Sequence, residues 1–226
     1  MSSWSVVRWT GALGLAAIVV QLVALVFASA AGNAPSADAT KLLAFVKSSH
    51  FALTTVELLF ALGFVLFIGF IAGLRAIAIA VSPDLEWLAT ATFGAGIAIS
   101  VIALMQSGLA LAAIAIAARS GADAAQIRLL FETERLLGGA PWLVPAAFFL
   151  GAAGSVGAAT KILPHWLALV GWIGSVLVLI AALSAYGNSD PGAFWSANGY
   201  VTALAFLPFL VWTLCASVVF VRQKGL

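Results

Sequence analysis

Six long apolar stretches fill almost the whole chain and constrain its fold more than any other feature. Short segments rich in polar residues, glycine and proline separate them. A run of 18 or more apolar residues is long enough to cross the hydrocarbon core of a bilayer as an α-helix. Hydrophobic residues make up 64% of the chain and charged residues 8%, whereas soluble domains carry about 25% charged residues. The sequence therefore predicts an integral membrane protein.

We predict an all-α fold, a polytopic six-transmembrane-helix bundle in which residues 1–226 form a single transmembrane domain. Helices are expected because every backbone polar group must be satisfied within its own segment in lipid. The predicted spans cover roughly residues 9–31, 50–74, 87–118, 140–160, 166–186 and 198–221. An even number of spans places both termini on the same side of the membrane.

The first apolar stretch resembles a signal peptide, because one basic residue, Arg8, precedes it and small residues follow it. Its apolar run is roughly 20 residues, which is longer than the ~7–15 residues of a signal-peptide core. We therefore expect it to be retained as a span.

The segment before the fourth span has the pattern of an amphipathic helix. Over residues 124–137, apolar side chains such as Ile127 and Leu130 alternate with charged ones such as Arg128 and Glu132. Asp123 can cap its first turn. This pattern predicts a short interfacial helix that lies in the membrane plane.

Most tryptophans lie near predicted span ends, where an indole keeps its ring in an apolar layer and its N–H in water. Seven of the eight fit this aromatic belt: Trp4, Trp9, Trp87, Trp142, Trp166, Trp195 and Trp212.

Basic residues favour an orientation with both termini in the cytoplasm. The side that holds the termini carries its basic residues in short connections and tails, where the positive-inside rule has most force. These residues are Arg8, Arg75, Lys161, Arg222 and Lys224. On the opposite side, the basic residues lie in the two longest loops, and the loop after the fifth span has none.

The start of the fifth span, Leu163-Pro164-His165-Trp166-Leu167 after Lys161, resembles a stretch found in many uncharacterised bacterial six-span membrane proteins. The last span, with Phe206, Trp212, Ser217 and a basic tail at Arg222, is similar to theirs. The resemblance covers about the last third of the chain. It implies a protein of the bacterial inner membrane and assigns no chemistry to it.

Glu57 is the residue most indicative of function. It lies inside the second predicted span, where an ionisable group is costly and usually functional. His50, Thr54 and Glu57 are spaced i, i+4 and i+7, so they share one helix face. Such a face could pass protons, bind a cation or hold a polar substrate group. The alternative is that Glu57 lies about 10 Å from the start of the span and bonds a neighbouring helix.

Topology limits the groups that can join Glu57. The second span starts, the third ends and the fourth starts on one side of the membrane, so Arg128, Arg135 and Gln106 are candidate partners. The alternative is that the charged residues of 124–137 pair among themselves on a solvated face, with Arg128 and Glu132 at i, i+4.

We expect no cofactor and no metal site. His50 and His165 start an even-numbered and an odd-numbered span, so about 30 Å of hydrocarbon separates them. They therefore cannot share one haem or metal ion. The single cysteine, Cys215, excludes an intramolecular disulfide and a cysteine-based zinc site.

Three functions remain open from the sequence. The first is a non-enzymatic structural, regulatory or partner-binding membrane subunit. The second is a small proton- or cation-coupled transporter or channel centred on Glu57. The third is a lipid-acting membrane enzyme, for which the sequence offers the neighbourhood of Glu57 and the segment Glu132–Arg135. A wide lateral opening lined by Glu132, Glu134 and Arg135 would favour this function. The expected partners are the lipid bilayer and either another protein or a second copy of the chain. A formal net charge of +2 does not favour nucleic acid.

Overall fold

Over the residues that the structure describes, the chain forms eight α-helices and two 3₁₀ turns. The computed structural model describes residues 3–32, 34–35, 38–187, 193–196 and 199–223, with side chains from residue 6 onward. The helices are α1 (Ser3–Ala31), α2 (Ala39–Ser48), α3 (His50–Val81), α4 (Glu86–Ala117), α5 (Ala124–Gly138), α6 (Ala140–Thr160), α7 (His165–Ala182) and α8 (Tyr200–Arg222). The 3₁₀ turns are Pro83–Leu85 and Leu183–Tyr186.

Six of these helices are long and apolar enough to cross a membrane: α1, α3, α4, α6, α7 and α8. The predicted all-α bundle of six spans is therefore confirmed, and the protein is a multi-pass membrane protein. The second span continues to Val81, beyond the predicted end at residue 74. The structure also contains a helix that the sequence analysis did not predict, α2, between the first two spans.

The spanning helices differ in length, and the longer ones extend beyond the bilayer. Helix α6 has 21 residues, or about 31 Å at 1.5 Å per residue, which matches the ~30 Å hydrocarbon core. Helices α3 and α4 each have 32 residues, or about 48 Å. At the end away from the termini, α4 continues to Ala117 past Gln106, which contacts Gly138 at the end of α5.

These extensions form a small apolar cluster that we call the cap. The cap consists of α2, α5, the first turns of α3 and the last turns of α4. Its buried residues come from three helices: Leu42 and Val46 from α2, Ala113, Ile114 and Ala117 from α4, and Ile127 from α5. The cap therefore gives the end of the bundle opposite the termini its own small core.

Helix α5 confirms the predicted helix over 124–137, and Asp123 caps it by accepting a hydrogen bond from the backbone N–H of Ala125 at 2.9 Å. Its axis differs from the predicted in-plane orientation. Ile127, near the start of α5, packs against the last turns of α4. Gly138, at the end of α5, contacts Gln106, which lies earlier in α4. Helix α5 therefore runs antiparallel along α4, because the protruding α4 offers it an apolar surface of protein.

Asp38 starts the unpredicted helix α2. Its carboxylate accepts hydrogen bonds from the backbone N–H groups of Thr40 at 2.9 Å and Lys41 at 3.1 Å. The hydrogen bond from Lys41 is the main reason that the pKa of Asp38 lies below its usual value of 3.8. Leu42 and Val46 then face the cap core. A ten-residue helix of this kind depends on that packing, because an isolated helix so short is marginal in water.

An aromatic cluster closes the middle of the bundle. Phe67 of α3 packs against Phe149 of α6 and Phe209 of α8, with ring centroids 5.4 and 5.0 Å apart. Trp142 and Trp212 join it, at 5.5 Å from Phe209 and 5.6 Å from Phe149. All five side chains are buried.

Two predicted belt tryptophans are therefore interior residues. Trp212 is fully buried, and its indole N–H donates a hydrogen bond to the backbone oxygen of Leu167 at 3.1 Å. Trp142 is 4% exposed, whereas Trp9 and Trp87 are more than 60% exposed. The prediction of belt positions for Trp142 and Trp212 was wrong, because Trp142, in the first turn of α6, faces neighbouring helices and Trp212 lies near the middle of α8.

Helices α1 and α8 pack most closely near the termini. An added Cβ at Gly11 would lie 2.7 Å from the backbone oxygen of Ser217 and 2.8 Å from the backbone nitrogen of Val221. At Gly14 it would overlap the hydroxyl of Ser217. Glycine permits this backbone approach, as in many membrane helix pairs, and it places both ends of the chain on one side of the bundle.

Candidate binding cavity

A cavity of about 310 Å³ lies where the cap meets the bundle. Helices α1, α3, α4, α5, α6 and α8 all contribute to its wall. The polar lining residues are Glu57, Gln106, Ser107, Glu134 and Thr202, and the remaining ones are Leu25, Phe60, Phe64, Ala103, Gly138, Trp142, Ala203 and Phe206. The cavity is thus an apolar and largely aromatic space with a few convergent polar groups, which is typical of small-molecule sites.

Glu57 lies at the depth of the membrane boundary. Although it belongs to the spanning helix α3, it shares the cavity with Trp142 in the first turn of α6 and Thr202 in the first turn of α8. Because α6 matches the thickness of the hydrocarbon core, these first turns lie near its edge. The half-buried carboxyl of Glu57 therefore faces an internal cavity close to the interface.

Glu134 brings a second carboxylate to the same cavity. It lies on α5, and the side-chain amide of Gln106 donates a hydrogen bond to its backbone oxygen at 3.3 Å. Glu134 is close enough to Glu57 for the two carboxylates to repel each other electrostatically. Arg135, its neighbour in the chain, offsets part of the charge of Glu134.

Ser107 lines the cavity together with Glu57. Ser107 lies on the buried face of α4, next to Gln106. The hydroxyl of Thr202, on α8, donates a hydrogen bond to the backbone oxygen of Ser196 at 3.4 Å. The polar groups of the cavity therefore come from four helices and are not a feature of α3 alone.

Of the six residues singled out in the sequence, the structure brings Glu57 and Gln106 to the cavity. Thr54 lies one turn of α3 before Glu57, and its buried hydroxyl has no hydrogen-bond partner among the described residues. His50 is exposed at the start of α3.

The two candidate arginines lie in a separate recess. Arg128 pairs with Glu132 at 2.6 Å, as expected for the i, i+4 alternative. Arg135 lines the same small recess, together with Leu42 and Phe131. This recess is on the side of α5 that faces α2, whereas Glu134 faces the main cavity.

Sequence reasoning placed Glu134 in a solvated face, together with Glu132 and Arg135. The position of Glu134 could have been predicted from its spacing along α5. Glu134 follows the buried Ile127 by seven residues and precedes Gly138 by four, so all three lie on the face of α5 that packs against the bundle. Glu132 and Arg128 lie on another face. The predicted pairing holds for Arg128 and Glu132, whereas the predicted solvated position is wrong for Glu134, which lines the cavity.

Over the part of the chain that the structure describes, the cavity reaches the outer surface of the bundle and is closed toward the termini. Leu25 of α1 and Ala203 of α8 line it and are exposed on the outside of the bundle. On the other side, Trp142 and Phe206 of its wall pack against Phe209, which belongs to the aromatic cluster. The cavity is therefore one-sided.

No family model, curated protein or solved structure matches this chain. The resemblance of the fifth and sixth spans to bacterial six-span proteins therefore stays a prediction.

Proposed function

We propose that this protein binds a cation in the cavity, with Glu57 as the principal binding group, and that it acts as a small transporter for that cation. The observation that supports the proposal most strongly is a cavity that reaches Glu57. An ionisable side chain in a membrane-spanning helix indicates a function by default, and it normally faces a cavity or the bundle interior.

The charge balance of the cavity favours a cation. Two of its lining residues are acidic, and among the described lining residues none is lysine, arginine or histidine. Arg135 neighbours Glu134 in the chain and attracts it electrostatically, whereas no basic residue lines the cavity beside Glu57. Attraction between opposite charges is much stronger in such a partly enclosed, apolar site than in water.

A buried polar residue, Gln21, lies on the terminal side of the cavity and supports passage of the cation in that direction. Gln21 lies one turn of α1 before Leu25, is 1% exposed and packs against Gly63. Its side-chain oxygen has no hydrogen-bond partner among the described residues. An unpaired buried acceptor costs about 1–3 kcal/mol, which makes a purely structural role for Gln21 unfavourable.

Two helices that form the closed side of the cavity contain an internal proline, at which each helix can bend. Pro145 lies inside α6 and Pro208 inside α8, and an internal proline removes a backbone hydrogen bond and allows a bend. Phe149 lies one turn after Pro145, and Phe209 directly follows Pro208. Bending at the prolines would therefore move two members of the aromatic cluster that closes the cavity.

We further propose that the protein resides in the bacterial inner membrane with both termini in the cytoplasm. The support is the resemblance of the last third of the chain and the basic residues in its short connections and tails. In that orientation the cap and the cavity face the outside of the cell membrane.

The test is equilibrium binding to the full-length protein in lipid nanodiscs. Four labelled probes are compared: sodium, rubidium, tetramethylammonium and octyltrimethylammonium ions. We expect at least one probe to bind, and Glu57→Gln to weaken its binding roughly tenfold or more because a full charge is lost at short range. Glu132→Gln is the matched control, because it removes a carboxylate from the same part of the protein outside the cavity.

If no probe shows binding that depends on Glu57, the proposal fails. Transport is then tested by uptake of the bound probe into proteoliposomes, with wild-type protein and with Glu57→Gln. Uptake that Glu57→Gln abolishes supports the transporter. Binding without uptake supports the second candidate.

The second candidate is a non-enzymatic regulatory or partner-binding subunit that only senses the cation. The observation that favours it is the aromatic cluster, which closes the bundle below the cavity. A lipid-acting enzyme is less well supported. It was expected to have an opening lined by Glu132, Glu134 and Arg135, and of these only Glu134 lines the main cavity.

A further inference from the structure

We propose that the ligand is an amphipathic organic cation, with an ammonium-type head and an apolar tail, that enters the cavity sideways from the bilayer between α1 and α8. This inference rests on the proposed cation-binding function and names its ligand class and route. Three features of the cavity lead to it: its aromatic wall, its size and the position of its opening.

The wall of the cavity suits an organic cation better than a metal ion. Phe60, Phe64, Trp142 and Phe206 contribute aromatic rings, and rings attract organic ammonium groups through cation–π interactions. Hard metal ions instead need about six to eight oxygen ligands around one point. Here the oxygen atoms come from a few side chains distributed among apolar ones.

The size of the cavity leads to the same conclusion. A volume of about 310 Å³ corresponds to roughly ten water molecules at about 30 Å³ each. A bare ion would leave most of this space as water against aromatic and aliphatic walls. An alkyl chain attached to the cation would fill it and cover those walls, which is favourable in proportion to the apolar area removed from water.

The lining residues Leu25 of α1 and Ala203 of α8 are exposed, so we infer an opening between these two helices. The two helices approach closely near the termini, at Gly11 and Gly14. At the cap end, the cavity separates Leu25 from Ala203. The residues next to them, Val26 and Leu204, are 66% and 51% exposed, so this part of both helices forms the outer, lipid-facing surface of the bundle.

The depth of the carboxylates matches the depth of such a ligand in a membrane. An amphipathic cation in a bilayer holds its charged head near the interface and its apolar part in the hydrocarbon. Glu57 and Glu134 lie near that interface, at the level of the first turns of α6 and α8. The ligand can therefore move sideways into the cavity without carrying its charge into the middle of the membrane, which would be costly.

The experiment compares tetramethylammonium with octyltrimethylammonium in nanodiscs that hold the full-length protein. Binding to empty nanodiscs is subtracted. We expect octyltrimethylammonium to bind at least tenfold more tightly, because each buried methylene contributes roughly fourfold in affinity. Glu57→Gln should weaken both ligands, because both depend on the same charge.

The route is tested by narrowing the opening. Ala203→Trp should fill the gap between α1 and α8 and slow the association of octyltrimethylammonium at least tenfold. Leu204→Trp is the matched control, because it adds the same ring to the neighbouring exposed position, which does not line the cavity. Leu25→Trp narrows the gap from the α1 side and serves if Ala203→Trp does not fold.

The outcomes separate this inference from the proposed function. If sodium, rubidium or tetramethylammonium binds through Glu57 and octyltrimethylammonium is no tighter, the amphipathic ligand is refuted and cation binding stands. If no probe depends on Glu57, both proposals fail. If the gap variant that folds, Ala203→Trp or Leu25→Trp, does not slow association while Glu57 is still required, entry between α1 and α8 is refuted.

Discussion

The close approach of α1 and α8 predicts that Gly11→Ala destabilises the protein, although alanine is the better helix former. The added Cβ would lie 2.7 Å from the backbone oxygen of Ser217 and 2.8 Å from the backbone nitrogen of Val221. Ordinary contacts begin at 3.4 Å, so the two helices must separate by about 0.7 Å. The opposing atoms belong to backbone and cannot rotate away.

The magnitude follows from two opposing effects. Overpacking of a tight contact costs about 1–3 kcal/mol. Replacing glycine by alanine inside a helix contributes about 0.5–1 kcal/mol in the other direction. We therefore expect Gly11→Ala to lower the free energy of unfolding by about 1–2 kcal/mol.

Two glycines of α4 provide matched controls. An added Cβ at Gly94 or Gly108 would meet no atom within 4 Å, so alanine at either position should leave stability unchanged or raise it by up to about 1 kcal/mol. Reversible unfolding in mixed detergent micelles, followed by circular dichroism, measures all three variants. The reasoning is refuted if Gly11→Ala is as stable as the variants at Gly94 and Gly108.

Three further predictions concern the core, the cavity floor and the cap. Trp212→Phe should lower the free energy of unfolding by about 1–2 kcal/mol, because the backbone oxygen of Leu167 loses its buried hydrogen bond; an unchanged unfolding curve would contradict this. Phe209→Ala should cost about 3 kcal/mol through loss of packing at the base of the cavity, measured in the same assay. The pKa of Asp38 is depressed by the N–H of Lys41, so its stabilisation of α2 is fully present above the unfolded pKa and is lost as the pH falls through the lower, folded pKa. The protection of the α2 amides against hydrogen exchange, relative to the intrinsic rate at each pH, should therefore decrease below about pH 4 in the wild type, and Asp38→Asn should remove this dependence.

Much of the fold could be predicted because it depends on local properties of the chain. The six spans follow from the length of apolar stretches, and α5 follows from its amphipathic pattern and from Asp123 as its cap. Helix α2 was missed because only ten residues form it and its stability depends on the cap core, to which Leu42 and Val46 contribute.

The candidate site could be predicted only in part. Glu57 stood out because an acidic residue in an apolar span is unusual, and Gln106 was expected at the same depth. Glu134 was assigned to a solvated face because the charges beside it, Glu132 and Arg135, obscured its seven-residue spacing from the buried Ile127. Periodicity can assign a residue to a helix face, but it does not say which helix that face contacts.

The sequence by itself determined that this protein is a membrane bundle of helices. Each span is apolar along its whole length, and in lipid only a helix satisfies all backbone groups within one segment. The same uniform hydrophobicity conceals which side of each span faces the interior, so the sequence could not separate the exposed Trp9 from the buried Trp142 and Trp212.

The tertiary structure decided where the carboxylates meet. Helices α3 and α4 are longer than the bilayer, and the cap forms on their extensions. Within the cap, α5 runs back along α4, which brings Glu134 to the cavity of Glu57. Close packing of α1 on α8 near the termini leaves the cavity open at the other end, between Leu25 and Ala203. Both features depend on contacts between residues far apart in the chain, which no local pattern specifies.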